Sequence, residues 1–305
     1  MSEQTTTDAS TVARRPRPMA MHADENIAGE VAREPATAHP IWPLVASVIV
    51  AALVVFASIV GLVAPWPYEQ ETENWVLQAW GQDVGNIVAA VLLVAGALGA
   101  WRGSLRARQL WIGTLFYFLY AYAIYAFAVH FGRLFSVYVT VLGLAFWTLV
   151  AVLSERARLL ASPSRRVCTF AASVLIGTGA LFALLWLSEL IPATLSGRPP
   201  SSLETAGLVT NPIYVIDLAI VLPGMIIVGI GALRASAREL SFVLPALTFC
   251  VLMGSSVIAA SLLMVVRGDT SGVAPLVAVT VVVGLSLWAA VSWIRQGRRA
   301  PLASA

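Results

Sequence analysis

Between residues 41 and 294 the chain runs through eight long apolar stretches, near 41–64, 84–101, 109–131, 134–154, 168–191, 212–233, 242–266 and 274–294. A helix needs about 20 apolar residues to cross ~30 Å of hydrocarbon. In lipid only helices and closed barrels satisfy their own backbone. Barrel strands alternate with period two, whereas ASVIVAALVVFASIVGLVA (46–64) is apolar on every face. The expected fold is therefore all-α, a polytopic transmembrane helical bundle of about eight spans. Composition agrees: 11% of residues are charged, against roughly 25% in a soluble domain.

The net charge of +3 is no sign of nucleic acid, because position matters more than sum. All 19 basic residues are arginine. Arg102, Arg106 and Arg108 follow span 2, and Arg156, Arg158, Arg165 and Arg166 follow span 4. Arg234 and Arg238 follow span 6, and Arg295, Arg298 and Arg299 lie in the tail. The opposite loops hold only Arg133, Arg198 and Arg267. By the positive-inside rule both termini are expected in the cytoplasm, which an even number of spans requires. The expected location is the bacterial inner membrane. The expected partner is the lipid bilayer, with a protein partner or homo-oligomer left open and no nucleic acid.

Residues 1–40 are polar, mixed in charge and without hydrophobic period, so a disordered cytoplasmic tail is expected there. No apolar region follows closely enough to make a signal peptide, and Met19 and Met21 are alternative starts to Met1. Residues 41–294 form the membrane domain, and 295–305 a short basic tail. In the loop 65–83, Trp75, Val76 and Trp80 are expected to anchor at the interface, at most as a short helix. The segment 192–212 reads as a flexible connector. Trp42, Trp66, Trp101, Trp111 and Trp293 lie near span ends and read as an aromatic belt. Cys168 and Cys250 lack metal or redox spacing and read as small buried hydrophobes.

The polar residues inside the spans are the candidates for function. Asp217 stands in NPIYVIDLAIVLPG (211–224) between two prolines, about five residues into span 6. A dozen Ile, Leu and Val residues there supply roughly −4 to −7 kcal/mol of insertion free energy against about +3 for an aspartate. Insertion alone thus gives Asp217 no function. Pro223 removes a backbone hydrogen bond and is the expected kink. Asp83 at the start of span 2, His130 and Arg133 at the end of span 3, and Glu189 at the end of span 5 fall in the same leaflet. This layer either lines a cavity or proton route or consists of span-end side chains reaching the interface. Tyr117, Tyr120, Tyr122 and Tyr125 spread over more than half of the third helix, so they cannot all face one cavity. In span 7, Gly254, Ser255, Ser256, Ala259 and Ala260 permit close helix packing.

RGSLR (102–106) and RASAR (234–238) each follow a span that begins near an aspartate, the pattern a duplicated four-span unit would leave. Motifs of hydrolases, metalloproteases and nucleotide-binding loops are absent from the sequence. With three histidines, two of them in the tail, no histidine-ligated metal is expected, nor any cofactor.

NPIYVIDLAIVLPG and WRGSLRARQLWIGTLFYFLYAYAIYAFA (101–128) resemble segments of bacterial multi-span membrane proteins that have no established activity. The resemblance covers spans 2–4 and 6, and it implies a shared role for Asp217 and Pro223 but not for His130. The expected function is that of a structural or accessory membrane protein with no enzymatic centre. One rival is a carrier of a small solute or ion using Asp217 as its protonatable group. Another is a membrane-embedded enzyme or sensor acting on lipid, for which His130 is the candidate.

Overall fold

The computed structural model describes residues 40–155 and 163–296. The polar tail 1–39 and the arginines at 156, 158, 298 and 299 lie outside them. Among the described residues there is no strand. Eight helical spans are long and apolar enough to cross a membrane, and they are those of an integral, multi-pass membrane protein.

The elements run α1 (Trp42–Val63), α2 (Glu73–Trp101), α3 (Leu105–Ala128), α4 (Phe135–Ser154) and α5 (Arg165–Ser196), then a short α6 (Ser201–Ala206). The sixth span is one continuous helix made of α7 (Pro212–Ile216), a π-helical turn (Asp217–Val221) and α8 (Leu222–Leu233). Then follow α9 (Ala237–Val266) and α10 (Val273–Gln296).

α2, α3 and α9 pack on one another in the middle of the bundle, with α1 and α4 on one side and α5, α8 and α10 on the other. Leu93, Leu115, Phe118, Leu244 and Leu247 are completely buried there. Outward-facing side chains such as Phe56, Val91, Trp147, Leu184, Val277 and Trp288 are exposed and apolar. That is the surface a bundle in hydrocarbon presents.

Backbones approach most closely where small residues meet. A Cβ on Gly81 of α2 would stand 2.3 Å from the Ala260 nitrogen of α9, and one on Gly85 would run into Ser256. Two of the small residues of span 7 thus form the α2–α9 crossing, where dispersion rather than a water-driven force holds helices together.

Four sequence expectations need correction. The second helix starts at Glu73, eleven residues before the expected 84, because Thr72 caps it by accepting a hydrogen bond from the Trp75 amide at 3.3 Å. Trp75, Val76 and Trp80 therefore belong to α2 itself and not to a separate interfacial helix. Asp83 does not open the span but lies ten residues inside α2, roughly 15 Å along it. The connector 192–212 is also more ordered than read, with α5 continuing to Ser196 through Pro192 and α6 inserted.

The π-helical turn at Asp217 has a local cause. Pro223 has no N–H to give, and the preceding turn is π-helical, with the Leu222 amide donating to the Asp217 carbonyl five residues back. A π-bulge widens the turn and accommodates such a proline.

Candidate functional site

The five acidic and basic residues singled out in the sequence do not meet at one site. Each is satisfied by a different neighbour. His130 donates its amide to Glu71 Oε1 at 2.7 Å, and its Nδ1 lies 2.9 Å from the same oxygen. Arg133 stacks over the Trp66 ring at 5.3 Å, a cation–π contact. Glu189 Oε2 accepts from the Tyr214 hydroxyl at 2.8 Å. Asp217 Oδ2 accepts from Trp186 Nε1 at 2.8 Å, with the Tyr120 hydroxyl beside it. Both partners of Asp217 come from neighbouring helices, α5 and α3, so its contacts tie the sixth span to the bundle.

Asp83 is different in kind. It is 2% exposed, and two tyrosines from different elements close on its carboxyl. Tyr68, on the turn before α2, donates to Oδ2 at 2.8 Å, and Tyr125 of α3 donates to Oδ1 at 2.8 Å. Buried Ser58 of α1 lies close by. Tyr138 of α4 stacks on Tyr125, with ring centroids 5.0 Å apart. Gly61 makes room for this group, since a Cβ there would stand 2.3 Å from Asp83 Oδ2. Burial, and then the neighbouring Asp83 carboxyl, push the Tyr68 hydroxyl well above its ordinary value, so it remains a donor. Among the described residues no cation pairs with Asp83.

A second cluster sits one face round on α2. Gln78, Gln82 and Asn86 are spaced by four and so form one stripe. Gln82 Nε2 donates to Asn86 Oδ1 at 3.1 Å and to the Tyr117 oxygen at 2.7 Å. The Tyr117 hydroxyl lies 2.9 Å from both Asn86 Oδ1 and Ser256 Oγ. Three helices are thereby joined through one phenol.

Both clusters border a cavity of about 290 Å³ between α2, α3 and α9, closed at one side by Ile213 of α7 and Pro275 of α10. Its polar wall residues are Trp75, Gln78, Gln82, Tyr125, Ser256 and Ser261, and none of its lining side chains is charged. It lies toward the end of the bundle where α2 begins and α3 ends, the end with few arginines. Of the sequence candidates, only Asp83 reaches it, through Tyr125. The sequence reading names Tyr117 only as one of four tyrosines and Ser256 only as a small packing residue, and it misses Gln82. The amide stripe Gln78, Gln82, Asn86 within a membrane span was the signal that pointed to them. Among the described residues no group of acidic, histidine and cysteine side chains could hold a metal ion.

Compared with protein-family models, the curated proteins and the solved structures, the chain matches none.

Proposed function

We propose that the chain is a ligand-binding membrane protein of the accessory or sensory kind, with its site in the cavity between α2, α3 and α9. The observation that carries this reading is Tyr125, which lies on the cavity wall and donates to buried Asp83 at 2.8 Å. A merely structural bundle has no need of a roomy cavity whose polar end is tied to a buried acid. Pockets with an apolar wall and a few convergent polar groups are the usual form of a small-molecule site. The arginine asymmetry supports an orientation with the arginine-rich end and both termini on the cytoplasmic side of a bacterial inner membrane. The cavity then lies in the outer half of the bundle.

The test is photolabelling of the full chain in lipid nanodiscs with a medium-chain alcohol carrying a diazirine. Labels are expected on cavity-wall residues, and they disappear in Val257→Trp, which fills the space. Labels confined to lipid-facing positions, or unchanged in a folded Val257→Trp chain, contradict the reading.

A second reading, a carrier, is favoured by the π-helical turn in the sixth span. Ile213 lies on the cavity wall, and the π-helical turn begins four residues later at Asp217. π-Helical turns inside α-helices are frequent at functional sites. Exchange of solute between vesicle interior and medium, present with the native chain and absent with Asp217→Leu, would favour the carrier over the sensor.

A further inference from the structure

Among the cavity-lining side chains Gln82, Tyr125, Ser256 and Trp75 the hydrogen-bond donors are already engaged, and the one donor left over in this cluster, Asn86 Nδ2, belongs to a residue that does not line the cavity. Both Nε2 hydrogens of Gln82 go to Asn86 and Tyr117, which leaves its Oε1 free among the described residues. The single hydrogen of Tyr125 goes to Asp83 Oδ1, with the Ala79 carbonyl at 3.3 Å as a second acceptor. Its oxygen keeps the capacity to accept. Ser256 has one hydrogen and two oxygens to give it to, the Leu252 carbonyl at 3.2 Å and the Tyr117 hydroxyl at 2.9 Å. Even Trp75 spends its N–H on the Ala128 carbonyl at 3.0 Å. The wall side chains with donors to spare are Ser261 and Gln78. Ser261 lies five residues further along α9, roughly 7 Å toward its end. Gln78 has given only one N–H, to Asn74 at 2.7 Å.

Electrostatics point the same way as the donor count. No wall side chain is charged, and the ionisable group directly behind the wall is an acid, Asp83. A carboxylate placed there would lose its water and meet acceptors and a buried acid. A ketone would set acceptor against acceptor and leave its oxygen unpaired, at a desolvation penalty of roughly 1–3 kcal/mol. A head group that donates would meet Gln82 Oε1 and the Tyr125 oxygen together. The volume of about 290 Å³ is roughly twice the ~150 Å³ that admits benzene in an engineered protein cavity. It therefore has room for roughly a dozen heavy atoms.

We infer that the cavity receives an apolar molecule of that size through a hydrogen-bond-donating head, an amine or an alcohol, and discriminates against ketones and carboxylates. This inference rests on the reading of the cavity as a ligand site and adds the chemical class of the ligand.

The experiment uses the full chain in nanodiscs and four photoreactive probes with one alkyl diazirine tail and an amine, alcohol, methyl ketone or carboxylate head. At equal concentration in the membrane, the amine and alcohol label wall residues such as Met253 and Val257 at least about threefold more than the other two. That is the selectivity of about one hydrogen bond. Labelling by the ketone or carboxylate equal to that by the amine overturns the assigned class while leaving the site in place. Wall labelling by none of the four overturns the ligand site itself. A diacylglycerol with a diazirine in its acyl chain, an alcohol confined to the bilayer, separates two sources of the same chemistry. Its labelling of the wall supports the class with a lipid source, and labelling by the short probes alone supports it with a dissolved source.

Discussion

Tyr125 and Asp83 are joined by a 2.8 Å hydrogen bond that connects the cavity wall to a deeply buried acid of the bundle. The acid is held from both sides, since Tyr68 donates to its other oxygen. Asp83→Ala removes the acceptor for two buried phenols, each worth about 1–3 kcal/mol when left unpaired. Reversible unfolding in mixed micelles is expected to show a loss of roughly 2–4 kcal/mol. Asp83→Asn keeps one acceptor oxygen and loses less. Equal and negligible losses for the two variants would contradict the arrangement.

Packing makes a second prediction, which separates glycines by what stands over them. Gly81→Ala drives a methyl into the backbone of Ala260, and Gly61→Ala drives one into Asp83 and Tyr68. Each is expected to cost about 1–3 kcal/mol as overpacking. Gly284→Ala, in α10 with nothing within 4 Å of the new Cβ, is expected to be neutral or stabilising by up to about 1 kcal/mol. The three chains compared by thermal unfolding in one detergent check this ordering.

The Tyr117 hydroxyl joins α2 and α9 through Gln82, Asn86 and Ser256. A double-mutant cycle between Tyr117→Phe and Ser256→Ala is therefore expected to show a coupling of about 0.5–1.5 kcal/mol. Strict additivity would mean that the phenol does not bridge the two helices.

Asp217 is held by the Trp186 N–H at 2.8 Å. Asp217→Asn retains an oxygen for that bond and is expected to change stability by less than about 1 kcal/mol. Asp217→Leu, which orphans the indole N–H, is expected to cost about 1–3 kcal/mol. Similar losses for both would show that the charge, and not the acceptor, is what the bundle uses.

The architecture was legible in the sequence because hydrocarbon imposes a length and a composition on every span. The eight apolar stretches and the eight helical spans correspond one to one. The candidate site was only half legible. Asp217 stood out because it is a charge between two prolines, yet its contacts are those of a helix tie. Asp83 was read as a span-end residue because α2 was begun at 84, and the capping role of Thr72 that extends it to Glu73 is a single hydrogen bond. Which tyrosines converge on Asp83 was beyond the sequence. Tyr68, Tyr125 and Tyr138 lie on three separate elements, and only tertiary packing brings them together.

The most direct test of the central claim, that Asp83 serves the cavity through Tyr125 and Asp217 does not, is photolabelling of the cavity wall by the amine probe. It compares the native chain with Asp83→Asn, Tyr125→Phe and Asp217→Asn, each checked for fold by circular dichroism. Asp83→Asn and Tyr125→Phe are expected to shift the concentration for half-maximal labelling about threefold to tenfold, the worth of one hydrogen bond. Asp217→Asn is expected to leave it unchanged. A shift with Asp217→Asn and none with the other two would contradict the account.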